Sequence, residues 1–237
     1  MIQVRPAQER GHAQYSWLDT YHTFSFAHYY DPDFTHFGPL RVLNQDRVEA
    51  GRGFEAHSHR DMEIISYVLS GVLEHKDSMG NGSQMRPGEV QLMSAGSGVT
   101  HSEFNGSSDE PLHFLQMWVF PRKKGTQPRY EQKAFSEDER RNRLRLVVSP
   151  DGAEGSLTID QDARLYAGLI ESGGQAEHAL EEKQSAWMHV ARGRIRLNEK
   201  ELGPGDGAAI EDESLLRIEG LEDAEVVLWE LVERSLR

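Results

Sequence analysis

The sequence predicts an all-β protein built from two copies of one β-unit, and three observations carry that prediction. Short apolar runs bounded by Gly, Pro, Asn and Asp recur along the whole of the 237 residues, the pattern of a sandwich or barrel. Helix signals are few. The chain also repeats itself: Val68-Leu69-Ser70-Gly71-Val72 returns as Val190-Ala191-Arg192-Gly193-Arg194, and Arg86-Pro87-Gly88-Glu89 returns as Gly203-Pro204-Gly205-Asp206.

The apolar runs give the expected strands in order: Ile64–Leu69, Val90–Met93, Leu112–Phe120, Leu144–Val148, Leu165–Ile170, Ala186–Val190 and Val226–Leu231. Turn chemistry separates them, at Gly80-Asn81-Gly82, Pro87-Gly88, Asp151-Gly152, Gly173-Gly174 and Pro204-Gly205-Asp206. Ser136 followed by Glu139 reads as a capping box opening one short helix. The two copies divide the chain into residues 1–130 and 131–237, joined near 121–142.

Composition narrows the chemistry. With no cysteine there is no disulfide, zinc–thiolate site or thiol nucleophile, so any metal is held by nitrogen and oxygen. No apolar stretch is long enough to cross a bilayer as a helix, and no export signal opens the chain, so a soluble, cytoplasmic protein is expected. The net charge of −13 disfavours nucleic acid as a partner. Residues 121–145 invert the sign, with 9 basic against 4 acidic side chains, and read as a solvated linker.

Two segments carry a metal-site pattern. His57 and His59 lie two apart, and in a strand residues two apart share a face. Within Val99-Thr100-His101-Ser102-Glu103, His101 and Glu103 repeat the spacing with one nitrogen and one oxygen donor. Two such strands facing each other bring four ligands to one point. Burying histidines without partners is costly, and a metal removes that cost. The other histidines, at 12, 22, 28, 36, 75, 113, 178 and 189, are read as structural or surface residues.

Gly51, His57, His59 and Glu63 resemble the first cupin motif, and Gly88, Gly96, His101 and Asn105 the second. The closer resemblance is to the pirin family, in which the glutamate follows the second-motif histidine as His101-Ser102-Glu103. Phe24-Ser25-Phe26-Ala27-His28-Tyr29-Tyr30-Asp31-Pro32, Phe37-Gly38-Pro39-Leu40-Arg41-Val42, His59-Arg60-Asp61-Met62-Glu63 and Met93-Ser94-Ala95-Gly96 look like pirin signatures. They cover residues 15–120 strongly and the C-terminal half in outline. Ser58 departs from the proline usual between the two histidines.

The resemblance implies a bicupin, two tandem antiparallel jelly-roll barrels, with non-haem iron in the first. Three imidazoles and a carboxylate also suit manganese, cobalt, nickel, copper or zinc. It implies a quercetin 2,3-dioxygenase that opens the heterocycle of a flavonol with O2 and releases CO, with Glu103 as metal ligand and base. The alternative is a metal-tuned binding module acting on a protein partner, as animal pirins are described. A monomer is expected. Shifting by the repeat offsets places Ala179, Glu181 and Ser185 opposite His57, His59 and Glu63, and Ile218 and Gly220 opposite His101 and Glu103. The second barrel is therefore expected to hold no metal.

Overall fold

The computed structural model describes residues 1–181 and 184–232, and the chain divides into two compact units. The first contains Gly11–Ala134 and Ile159–Gln161; the second contains Met1–Arg10, Phe135–Thr158 and Asp162 onward. This differs from a cut at residue 130 at one end in particular. The strand Ile2–Arg5 pairs antiparallel with Gly207–Ile210, so the first ten residues belong to the C-terminal unit.

Each unit is a seven-stranded sheet and a four-stranded sheet. In the N-terminal unit the larger sheet runs Arg129–Ala134, Glu89–Ser94, Glu63–Ser70, Leu112–Val119, Leu40–Val48, Leu18–His22, Gly11–Gln14. The smaller runs Gly53–His59, Val99–Asn105, Leu73–Asp77, Gly82–Met85. The C-terminal unit repeats this order. Its larger sheet runs Ile2–Arg5, Gly207–Ile210, Gln184–Arg192, Ala224–Val232, Ala163–Ile170, Leu144–Ser149, Leu157–Thr158, and its smaller Gln175–Ala179, Leu215–Gly220, Ile195–Leu197, Lys200–Leu202. The fold is all-β and bicupin-like, as the turn-punctuated pattern predicts.

The repeated glycines show why the sequence repeat exists. Gly71 and Gly193 both have positive φ, 84° and 68°. A Cβ on Gly71 would lie 2.9 Å from the Leu112 Cα, and one on Gly193 would lie 2.7 Å from the Ala224 Cα. Only glycine lets the hairpin turn touch the next strand's backbone in both units. Each core fills the space between its sheets. Leu18, Val48, Val68, Leu73, Met85, Leu112 and Phe114 pack together in one. Met188, Val190, Ile195, Leu197, Leu202, Ile210, Leu216, Ile218, Val226 and Leu228 do so in the other.

Residues 121–145 are ordered structure rather than the solvated linker that charge alone suggests. They include the strand Arg129–Ala134 and the helix Glu137–Arg140, capped by Ser136 with Glu139 bonding back as the capping box requires. Within the units the arginines find carboxylates: Arg122 with Asp160, Arg140 with Glu225, Arg141 with Glu171 and Arg145 with Glu154. Part of the positive charge is thus paired within the units, which weakens one of the two supports of the binding-module reading and leaves the other, the pirin resemblance, in place.

Candidate metal site

The four candidate ligands sit on two neighbouring strands of the smaller N-terminal sheet. Along Val99–Asn105, burial alternates so that Val99, His101, Glu103 and Asn105 face inward, the period of two expected for a strand. His101 lies opposite His57 on one side and opposite Asp77 on the other, and Glu103 lies opposite His75. A bulge between His101 and Glu103 shifts the register, so that Glu103 faces Phe54 and Phe104 faces Gly53. A Cβ at Gly53 would stand 2.3 Å from the Glu103 carbonyl oxygen. Glycine is what allows the two strands to close at the bulge. Ser58, in place of the usual proline, bonds across the pair to the Thr100 hydroxyl at 2.8 Å.

His57, His59 and His101 each offer a ring nitrogen, and these atoms lie within 4.8 Å of one another. Ring centroids are 4.6 to 4.9 Å apart. Glu103 joins a second such group, with His101 and His75. The structure thus gathers the three predicted imidazoles, and sets the predicted carboxylate beside one of them rather than among all three.

The donor set fits a metal. His57 Nδ1 is 2.7 Å from the Glu55 carbonyl oxygen, so that N–H donates there and Nε2 keeps its lone pair. His101 Nε2 is buried without a hydrogen-bond partner, which would cost about 1–3 kcal/mol if nothing filled the position. Burial first, then the neighbouring imidazoles His57, His59 and His75, pulls His101 down to about 3. Burial and His57 pull His59 down to about 4. Both rings are therefore neutral at neutral pH, the form in which an imidazole can bind a metal.

Behind the ligands stands a polar layer. The strand register lines up His22, Asn44, Gln116, Ser66 and Gln91 across five strands of the larger sheet, on its inner face. All five are buried. Ser66 donates to Glu103 Oε1 at 3.1 Å and Gln116 to Oε2 at 2.7 Å. Glu103 is 3% exposed, and burial pushes its carboxyl up to about 7 against those two hydrogen bonds, with Asp46 adding to the rise. Glu63, the usual cupin glutamate, faces the other way. It accepts from Ser94 at 2.7 Å and lies 3.8 Å from Arg129.

Strand periodicity also brings in His75, which spacing had assigned to structure or surface. It is fully buried; its Nε2 lies 3.1 Å from Asp77, its Nδ1 lies 3.4 Å from His101 Nδ1, and its ring stacks on Tyr130. One tautomer uses both bonds: His75 donates to Asp77, and His101 Nδ1–H donates to His75. His101 Nε2 then points its lone pair into the site. The signal was present, because His75 and Asp77 repeat the two-residue spacing of the ligand pairs. Such outer contacts orient ligands and are worth about 10–100-fold in metal affinity. His75→Phe should therefore weaken metal binding about 10–100-fold in a chelator competition. A loss as large as that of His101→Ala would make His75 a ligand itself.

The site opens into a cavity of about 730 Å³, within the range of small-molecule pockets. Aromatic walls come from Tyr15, Trp17, Phe26, Phe54 and Trp118. Trp118 stands edge-on to His59 at 4.9 Å and to Phe26 at 5.3 Å. Phe26 belongs to the loop between Leu18–His22 and Leu40–Val48, whose shape Arg41 holds by donating to the Ser25 and Thr35 carbonyls.

In the C-terminal unit the corresponding pairing is Leu216 opposite His178 and Ile218 opposite Ala176. By topology His178 and Leu180 occupy the places of His57 and His59, and Leu216 and Ile218 those of His101 and Glu103. This corrects the sequence offsets, which placed Ala179, Glu181, Ile218 and Gly220 there. The loops preceding these strands differ in length between units, and a slip of one residue exchanges the two faces of a strand. The polar layer is replaced as well, by Leu146, Tyr166, Leu228, Met188 and Ala208 in the same register. His178 is paired with Glu230 at 2.6 Å.

Comparison with known proteins identifies the family of the fold. The pirin family profile matches residues 3–119, and that of the quercetinase C-terminal cupin domain matches residues 146–231. A quercetin 2,3-dioxygenase of Escherichia coli (strain K12) is 47% identical over 231 residues, covering 98% of this chain and 99% of the relative. A pirin-like protein of Caulobacter vibrioides is 39% identical over 230 residues, covering 96% and 98%. The crystal structure of the bacterial pirin YhhW from Escherichia coli in complex with nickel(II) superposes with a TM-score of 0.93 at 46% identity, covering 99% of this chain and 100% of that one. With the motifs, the paired barrels and near full-length likeness all in agreement, the chain belongs to the pirin family.

Proposed function

We propose that this protein is a metal-dependent dioxygenase that opens the heterocyclic ring of a flavonol such as quercetin, taking up one O2 and releasing the excised carbon as CO. The observation that carries this reading is the buried, partnerless His101 Nε2 beside His57 and His59, at the end of an aromatic-walled cavity. Quercetin dioxygenase names among full-length relatives supply the reaction class.

In this reading His57, His59 and His101 would hold one divalent transition metal, with iron(II) the expected ion, and Glu103, beside His101, would complete the set. Such a metal supplies Lewis-acid activation of the flavonol hydroxyl and positions open to dioxygen. The protein supplies the rest. Glu103 takes the hydroxyl proton, as the carboxylate nearest the histidine cluster. Ser66 and Gln116 would keep the carboxylate oriented for that transfer. Trp118 and Phe26 pack on the flat rings and keep water from the cleaved bond. Both oxygen atoms enter the product, so no external reductant is consumed.

The test is quercetin in air with the purified protein, loaded with iron(II) or stripped by a chelator. The loaded protein should bleach quercetin's visible absorbance and release CO, and the stripped protein should do neither. No oxygen-dependent loss of any flavonol by the loaded protein would sink the proposal.

A further inference from the structure

A second carboxylate in the cavity has no part in holding the metal. Asp46 lies on the inner face of Leu40–Val48, opposite Thr20 and Phe114 and one inward position beyond the polar layer. It is 4% exposed and lines the cavity. The Thr20 side chain hydrogen-bonds to it, yet its Oδ1 is buried with no protein donor. Among the described residues, no lysine or arginine lines the cavity. The nearby charges acting on it are carboxylates, Asp19 and Glu103.

Such a group has a narrow set of suitable partners. Away from the three histidines, an anionic group would meet Asp46 with no lysine or arginine of the described residues to offset it. A purely apolar ligand would leave the buried Oδ1 still without a donor. A neutral aromatic bearing hydroxyl groups satisfies both conditions, because its rings match Trp118, Phe26 and Phe54 and a hydroxyl donates to Oδ1.

We propose that Asp46 is a specificity-determining residue that accepts a hydrogen bond from a substrate hydroxyl remote from the oxygen presented to the three histidines, so that the site selects polyhydroxylated aromatics. The dioxygenase reading enters only in the choice of flavonols as probes. The repeat offers an internal contrast: at the position of Asp46 the C-terminal unit has Gly168, opposite Val226.

The experiment measures binding to metal-loaded protein under argon, by tryptophan quenching, with quercetin and with 3-hydroxyflavone, which lacks the remote hydroxyls. Wild type should bind quercetin at least about tenfold more tightly, since a site built to pair a hydroxyl rejects analogues without it. Asp46→Ala should keep its metal, bind 3-hydroxyflavone within about twofold of wild type, and lose most of its preference for quercetin. Asp46→Asn, which retains one acceptor, should fall between. Equal binding of the two flavonols by wild type overturns the proposal, as does an Asp46→Ala loss shared equally by both. Those outcomes leave the dioxygenase reading standing. Binding of neither flavonol by wild type removes both. Should Asp46→Ala fail to fold, Asp46→Asn carries the test, and an unchanged preference for quercetin in it overturns the proposal.

Discussion

Glu103→Gln is expected to retain part of its metal and to lose turnover per bound metal by roughly a hundredfold to ten-thousandfold, the usual worth of general base catalysis. Glutamine keeps the size of the side chain and one oxygen donor, but loses the charge and nearly all basicity. It also breaks the local bonding, because its amide nitrogen is a donor, so only one of Ser66 and Gln116 keeps an oxygen to donate to. Metal must therefore be measured in the same samples, by elemental analysis, and the rate expressed per metal. A variant that cleaves quercetin at the wild-type rate per metal would rule out the base.

His101→Ala should have the larger effect on the metal itself. It deletes the imidazole whose partnerless Nε2 faces His57 and His59, and it leaves His75 without the N–H that its Nδ1 faces. Metal content after dialysis should fall to near background, a loss beyond the roughly 10–100-fold attached to outer contacts. His57→Ala and His59→Ala should behave alike. The barrel should survive, because the apolar cluster of Leu18, Val48, Val68, Leu73, Met85, Leu112 and Phe114 does not include these residues. A folded His101→Ala protein with undiminished metal would take the histidine cluster out of consideration.

Much of this site was legible along the chain, and the reason is local geometry. A strand alternates its faces, so the spacing of His57 with His59 and of His101 with Glu103 settles which side chains share a face once each segment is a strand. Turn chemistry behaves in the same way. Gly71, Gly88, Gly193 and Gly205 all take the positive φ their turns require, and Ser136 with Glu139 caps the helix they announce. These outcomes depend on neighbours a few residues away.

What only the tertiary structure decided depends on pairing between distant strands. Loop lengths set the register, and register determined that His178 and Leu180, not Ala179 and Glu181, stand where the first barrel has His57 and His59. It also assembled Ser66, Gln91 and Gln116 behind the ligands from strands whose sequence reads as plain apolar core, where an occasional polar residue carries no local mark. His75 and Asp46 were hidden for the same reason. A buried polar group acquires meaning from the partner it meets or fails to meet, and for Asp46 Oδ1 and His101 Nε2 that is settled by backbone brought from elsewhere in the chain.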